Sequence, residues 1–417
     1  MVHALLLQML VILATARACG LLLRHLGQPA VVGEMAAGFV LGPVVFGALF
    51  PQWHAQLFAA DSLPALSSLS TLGLVLFMFI VGAELRAPDG VRAQLREAGA
   101  VGALGVLLPM VLGLAVSPWL HPLAPAGVGF WPFALFMAAA MSITAFPVMA
   151  RILKDRGMSQ TRLGRLALGS AAIADVFAWI VLALVVALTG AGEGAWGLAK
   201  TTLGLVALMA LAFGLLKPLY AWLLRRYAAD GLPSVNVLAA LMIGLLACAA
   251  LTEWLGLHAV FGAFVFGACL PRDDHLLRTL TERLEYASVV ILMPIFFALA
   301  GLNTRADAFV GAGLGALALI LAVAVVGKVV GGALGARIAG YGWRDSMAAG
   351  ALMNARGLME LIVMKVGLDA GLIGPELFTM LLVMAIVTTV MTSPLLSLFA
   401  GRAAAGDAPH TRGARSP

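Results

Sequence analysis

The chain has 417 residues, of which 62% are hydrophobic and 11% charged, and it carries a net charge of +6. Soluble domains hold about 45–50% apolar and about 25% charged residues, so a soluble globular fold is excluded and a polytopic membrane protein is indicated. The basic residues are scattered in short separate segments without a run or patch, which makes nucleic acid an unexpected partner.

Apolar runs of about 20 residues can each cross roughly 30 Å of hydrocarbon as helix. They predict an all-α protein with about thirteen transmembrane helices, over 4–23, 30–50, 66–85, 98–118, 131–150, 164–189, 196–220, 234–252, 256–270, 286–302, 309–333, 345–366 and 376–399. The first run lacks a charged leader and a small-residue cleavage site, so it is expected to remain as span 1. Cys19, Cys248 and Cys269 lie in apolar runs with no metal-ligand spacing and are expected to act as small buried hydrophobes. Twenty of the 26 basic residues fall in segments that follow odd-numbered spans, among them Arg86, Arg156 and Arg225. Excess positive charge marks the cytoplasmic side, which predicts an external N-terminus and a cytoplasmic C-terminus. Residues 1–400 form the transmembrane domain on this reading, and 401–417 a short cytoplasmic tail.

The two halves echo each other. G-F-V-L-G-P (Gly38 to Pro43) returns loosely as G-A-F-V-F-G-A-C-L-P (Gly262 to Pro271), and L-F-M-F-I-V-G-A-E-L-R (Leu76 to Arg86) as M-P-I-F-F-A-L-A-G-L-N-T-R (Met293 to Arg305). The offset is seven spans, an odd number, so the second copy enters the membrane from the opposite side, as in the inverted repeats of many secondary transporters. The repeats cover about 1–190 and 234–400, joined by a linker helix over 196–220. Span 5 then pairs with span 12, and both carry interruptions. Pro147 removes a backbone hydrogen bond and frees carbonyls near Ser142 to Ala145, and the N-A-R-G run from Asn354 to Gly357 does the same in span 12. Unsatisfied backbone is tolerated at this depth only where it lines a cavity or is buried in protein, so the two breaks point to a binding site.

Asp175 is a lone carboxylate in the middle of span 6. A carboxylate at bilayer depth costs about 2.5–3.5 kcal/mol on insertion scales and marks a functional position. Loss of water favours its protonated form and a nearby cation its ionised form, so it can hold a proton or a small cation in competition. Ser142 and Thr144 offer hard oxygens to an alkali cation, or alternatively are packing hydroxyls bonded to their own turn. Lys328 lies too deep in span 11 to snorkel and needs a carboxylate or the C-terminal end of a helix. Arg356 and Glu360, four apart, share a helix face and can pair, either as a plain structural pair or as charge compensation at the site. Glu34 is expected to be structural, near the start of span 2.

With these residues the chain resembles the monovalent cation:proton antiporters, in the branch of the bacterial Kef and Nap proteins and the plant cation/proton exchangers. The resemblance rests on M-S-I-T-A-F-P-V-M-A-R-I-L (Met141 to Leu153), A-A-I-A-D-V-F-A-W-I-V-L (Ala171 to Leu182) and M-N-A-R-G-L-M-E-L-I-V (Met353 to Val363). It implies two crossed discontinuous helices and a core that moves against a dimerisation part in an elevator-like exchange. It also implies a homodimer in the plasma (inner) membrane, with Na+ or K+ and H+ as substrates. The cation- and proton-binding set is Asp175, Ser142 and Thr144, with Asp175 the ligand of the transported metal cation, and Lys328, Arg356 and Glu360 compensate charge. No cofactor, resident metal or enzymatic activity is expected. Many relatives have Asn or Asp where this chain has Ala174, and a single carboxylate implies electroneutral one-for-one exchange. A nucleotide-binding domain of the Kef type is not expected. The alternatives are a channel-like cation pathway and a proton-coupled antiporter of an organic solute.

Overall fold

The computed structural model describes residues 2–84, 91–158, 161–171, 173–174, 177, 203–204, 206–227, 235–255, 259–271, 284, 288–310 and 313–400, and regular structure among them is helical throughout. Eight helices are long and apolar enough to cross a membrane, and shorter apolar helices lie at Phe130–Ser142, Ala259–Cys269 and Ser288–Leu302. Cys248 and Cys269 are buried and Cys19 half-buried, all as free thiols.

Helix α1, Val2–His25, stops at Gly27, whose φ of +73° suits a residue without a Cβ. The Gly27 and Gln28 amides turn back to the carbonyls of Arg24 and Leu23 at 3.0 Å, the hydrogen-bonded cap that glycine allows. Span 2 was expected as one run over 30–50 and is instead divided. Gly42 is extended and Pro43 has no N–H, so α2, Ala30–Leu41, ends there, followed by a π turn, Pro43–Gly47, and a separate short helix α3, Pro51–Leu57.

The next helices are α4, Leu63–Glu84; α5, Val91–Leu120; α6, Phe130–Ser142; α7, Phe146–Asp155; and α8 over 162–171. Span 7 passes through a π turn, Ala212–Leu216, into α9, Lys217–Tyr227. It runs beyond the expected end at 220 and takes Arg225 and Arg226 into its last turn, where cations oppose the helix dipole. Then follow α10, Val235–Trp254; α11, Ala259–Cys269; α12, Met293–Leu302; α13, Gly313–Ile338; α14, Trp343–Met353; α15, Leu358–Asp369; and α16, Pro375–Ala400.

Inside a bilayer, helices gain little from leaving lipid for one another, so close packing of small residues decides which ones pair. The sequence echoes become matching contacts. A Cβ on Gly82 of α4 would strike the Phe264 carbonyl of α11, and one on Gly301 of α12 would strike the Gly38 carbonyl of α2. A glycine seam on α13 likewise seats Gly327 on Pro109, Gly331 on Leu104 and Gly335 on Val101 of α5. Among the described elements, substantial packing falls into two sets, α1–α4 with α9–α12, and α5, α6 and α13–α16. They are joined by the pairing of α2 with α16, and by the 3-10 turn Ala306–Phe309 after α12, which packs on α13 and α16 while the Arg305 amide before it donates to Thr379 Oγ1 at 2.9 Å.

At the end of the bundle where α5 begins, Tyr341 donates to Glu97 Oε2 at 2.8 Å, and Arg162 at the start of α8 donates to the Tyr341 hydroxyl at 3.2 Å while lying over its ring. Burial and the neighbouring Glu97 carboxylate push the Tyr341 phenol up, so it stays a neutral donor. These contacts pin α8.

Candidate functional site

A helix ends with four carbonyls that lack an intrahelical partner. Those of α6 are all satisfied, by four separate contacts. Ser142 Oγ donates to Ala139 O at 2.8 Å, Arg356 Nη1 to Ala140 O at 3.1 Å, Arg356 Nη2 to Met141 O at 2.6 Å, and Lys328 Nζ to Ser142 O. Two cations therefore meet the negative end of the α6 dipole, where positive charge is favoured. Lys328 Nζ also donates to Thr144 Oγ1 at 2.6 Å. Ser142 is 1% exposed, and Thr144, Lys328, Arg356 and Glu360 are fully buried.

Both expected breaks occur. Residues 143–145 separate α6 from α7, and Asn354–Gly357 separate α14 from α15. Pro147 stands at the second position of α7, where a missing N–H costs nothing. The unwound segments meet, with the Ala145 amide donating to Ala355 O at 3.1 Å. They approach closely enough that a Cβ on Gly357 would lie 2.7 Å from Val148 Cγ2. Lys328 reaches this crossing because the glycine seam brings α13 against α5. It stands ten residues before the end of α13, roughly 15 Å along the axis.

Arg356 and Glu360 pair at 2.9 Å with no solvent exposure. They do not share a helix face as expected. Arg356 lies in the unwound segment and reaches forward to Glu360 in the first turn of α15, where an acid suits the positive end of the helix. Glu34 is 5% exposed within α2. Asp175 lies outside the described residues. Its neighbour Ala174 packs in one apolar cluster with Ala145, Val148 and Ala355 from both sides of the crossing.

Two residues of the crossing, Thr388 and Thr389, were not singled out from the sequence. Thr389 Oγ1 accepts the Arg356 amide at 3.0 Å and donates to the Arg356 carbonyl at 2.8 Å, and Asn354 Nδ2 donates to Thr388 O at 3.0 Å. These contacts hold the second break against α16. The available signal was the threonine pair inside the apolar run 376–399, comparable to Ser142 and Thr144 in span 5.

Comparison with known proteins places this architecture. The family model described as sodium/hydrogen exchanger, transmembrane, matches residues 10–398. The Na+/H+ antiporter NhaS4 of Synechocystis is 40% identical over 390 residues, covering 93% of this chain and 95% of that protein. Cation/H+ antiporter 17 of Arabidopsis thaliana is 36% identical over 394 residues, and K+/H+ antiporter 1 of Saccharomyces cerevisiae 34% over 380. These cover 94% and 89% of this chain but 48% and 43% of the relatives, so the chain spans about half their length. The solved structure of the sodium proton antiporter MjNhaP1 from Methanocaldococcus jannaschii at pH 8 shares the fold, with a TM-score of 0.63 at 14% identity over 96% of this chain and 99% of that one. A membrane-spanning helical bundle built of inverted repeats around two crossed, broken helices, matched by the exchanger family over nearly its whole length, shows that this chain belongs to the transmembrane sodium/hydrogen exchanger family of monovalent cation:proton antiporters.

Proposed function

We propose that the chain exchanges Na+ or K+ for protons, electroneutrally, by alternating access at Asp175. Ser142 and Thr144 supply supporting oxygens, and Lys328, Arg356 and Glu360 balance charge. A homodimer in the plasma membrane, with the N-terminus outside and the C-terminus in the cytoplasm, belongs to the same reading, as does the division into repeats over 1–190 and 234–400.

The observation that carries it is the place of the Lys328 ammonium, on the Ser142 carbonyl and the Thr144 hydroxyl. These are oxygens of the residues the sequence assigns to the cation. A nest of oxygens that holds an ammonium in a buried interior suits an alkali cation in the same place, and the two cannot occupy it together. The Ser142 hydroxyl donates to Ala139 O of its own turn, which leaves its lone pairs able to accept a cation.

Charge balance then dictates the stoichiometry. Lys328, Arg356 and Glu360 contribute a constant background whichever substrate is bound. Asp175 neutralised by a proton and Asp175 neutralised by a monovalent cation carry the same charge, so the two loaded forms are electrically equivalent. The empty form adds a bare carboxylate to a low-dielectric interior, which is costly. Only loaded forms reorient readily, and one cation is exchanged per proton.

The test is purified protein in liposomes containing a pH-sensitive dye, challenged with Na+, K+ and Li+ in turn. Proton flux should follow addition of the transported cation and vanish in Asp175→Asn. Full activity in that variant removes the proposed site.

A further inference from the structure

Pro394 lies inside α16 and has no N–H, so the Val390 carbonyl, four residues earlier, lacks its helical partner. The side chain of Gln28 fills the gap, with Nε2 donating to Val390 O at 3.2 Å. Gln28 is fixed for this role. Its amide is tied to Leu23 O by the cap that ends α1, Pro29 follows it, and it is 9% exposed. Its Oε1 is buried without a hydrogen-bond partner among the described residues, so the amide is held by its donor side.

The two partners belong to different packing sets. Gln28 sits in the α1–α2 turn of the first. The receiving helix α16 packs on α13 and α14 of the second set, and its end is also held by Arg156, just past the end of α7, through Ser397 Oγ at 2.8 Å and Ser393 O at 3.0 Å. Ser142, Lys328 and Glu360 lie on helices of that second set, and Thr144 and Arg356 in the breaks beside them. A site carried on one set faces two sides in turn only if the contact between the sets changes.

We propose that Gln28 is a positioning residue for exchange, a latch that holds the second set, through the carbonyl freed by Pro394, in the arrangement seen here. This rests on the alternating-access reading above. The bond must break when the sets rearrange, and its strength slows departure from this state. A single hydrogen bond between membrane helices is modest in strength and readily reversible, which suits a contact remade in every cycle.

The test compares five proteins in liposomes: the wild type, Gln28→Met, Gln28→Asn, Pro394→Ala and the Gln28→Met, Pro394→Ala double variant. Gln28→Met keeps the length of the side chain and removes its donor. Pro394→Ala returns an N–H to Val390 O, which makes the glutamine redundant. Gln28→Met should raise turnover at saturating cation by about threefold, the effect of one such bond, without moving the half-saturating cation concentration. That increase should be absent in the Pro394→Ala background. Gln28→Asn, one methylene too short to reach, should match Gln28→Met, and this arm stands even if Pro394→Ala does not fold. A Gln28→Met protein that melts lower but turns over like the wild type has lost only a static brace, and the latch is refuted. So it is if the increase persists undiminished beside Pro394→Ala. A wild type that moves no protons with any cation overturns the exchange reading and the latch with it, whereas an active wild type indifferent to Gln28 overturns the latch alone.

Discussion

Arg356 carries more of the crossing than any other single side chain. Its guanidinium serves two carbonyls at the end of α6 and one oxygen of Glu360, and its backbone is clamped on both sides by Thr389. Removing one partner of a buried ion pair leaves the other charge uncompensated and costs about 3–5 kcal/mol. Arg356→Met should therefore lower stability by about that amount, read as a large fall in melting temperature in detergent. Arg356→Lys should recover only part, because one ammonium cannot reproduce the planar fork. Wild-type melting of Arg356→Met is the result that contradicts this account. The polarity and depth of Lys328, Arg356 and Glu360 were legible in the sequence, since charges in apolar runs are conspicuous. Their partners were not. Arg356 and Glu360 at a spacing of four suggested a helical pair, yet the pair forms across the end of a break, and the two carbonyls that Arg356 also holds lie more than 200 positions away.

Among the elements, α13 shows how a membrane helix is steered by absent side chains. Gly331 abuts the Leu104 carbonyl so tightly that a Cβ cannot be accommodated without movement, whereas Gly315 on the same helix faces open space. Gly331→Ala should push α13 from α5, withdraw Lys328 from Ser142 and Thr144, and reduce both melting temperature and flux. Gly315→Ala should be neutral or stabilising by up to about 1 kcal/mol, from helix propensity alone. Equal melting of the two variants would show that the seam does not set the position of α13. Among the described residues helix existence was readable from apolar runs, and both interruptions were placed correctly from Pro147 and N-A-R-G. The division of span 2 at Gly42–Pro43 was not anticipated. A Gly-Pro pair near the end of an apolar run is compatible with a kink or a stop, and composition alone does not choose between them.

For the whole molecule, the proposed equality of charge on the two loaded forms has a direct electrical consequence. Moving one elementary charge across 100 mV is worth about 2.3 kcal/mol, so an exchange that moved net charge would respond steeply to membrane potential. Imposing a potential of either sign across the liposomes should leave the initial rate of cation-driven proton flux unchanged. A rate that rises with one polarity and falls with the other would contradict the one-for-one stoichiometry.

The sequence by itself determined the membrane class, the inverted repetition, the two broken helices and the short inventory of buried charges, because hydrophobicity, helix breakers and charge act locally and leave local marks. Only the tertiary structure decided which carbonyls Lys328 and Arg356 hold, that Thr388 and Thr389 brace the second break, and that Gln28 meets a carbonyl 362 positions away. Those pairings follow from how closely backbones can approach, and that depends on glycine contacts between helices distant in the chain.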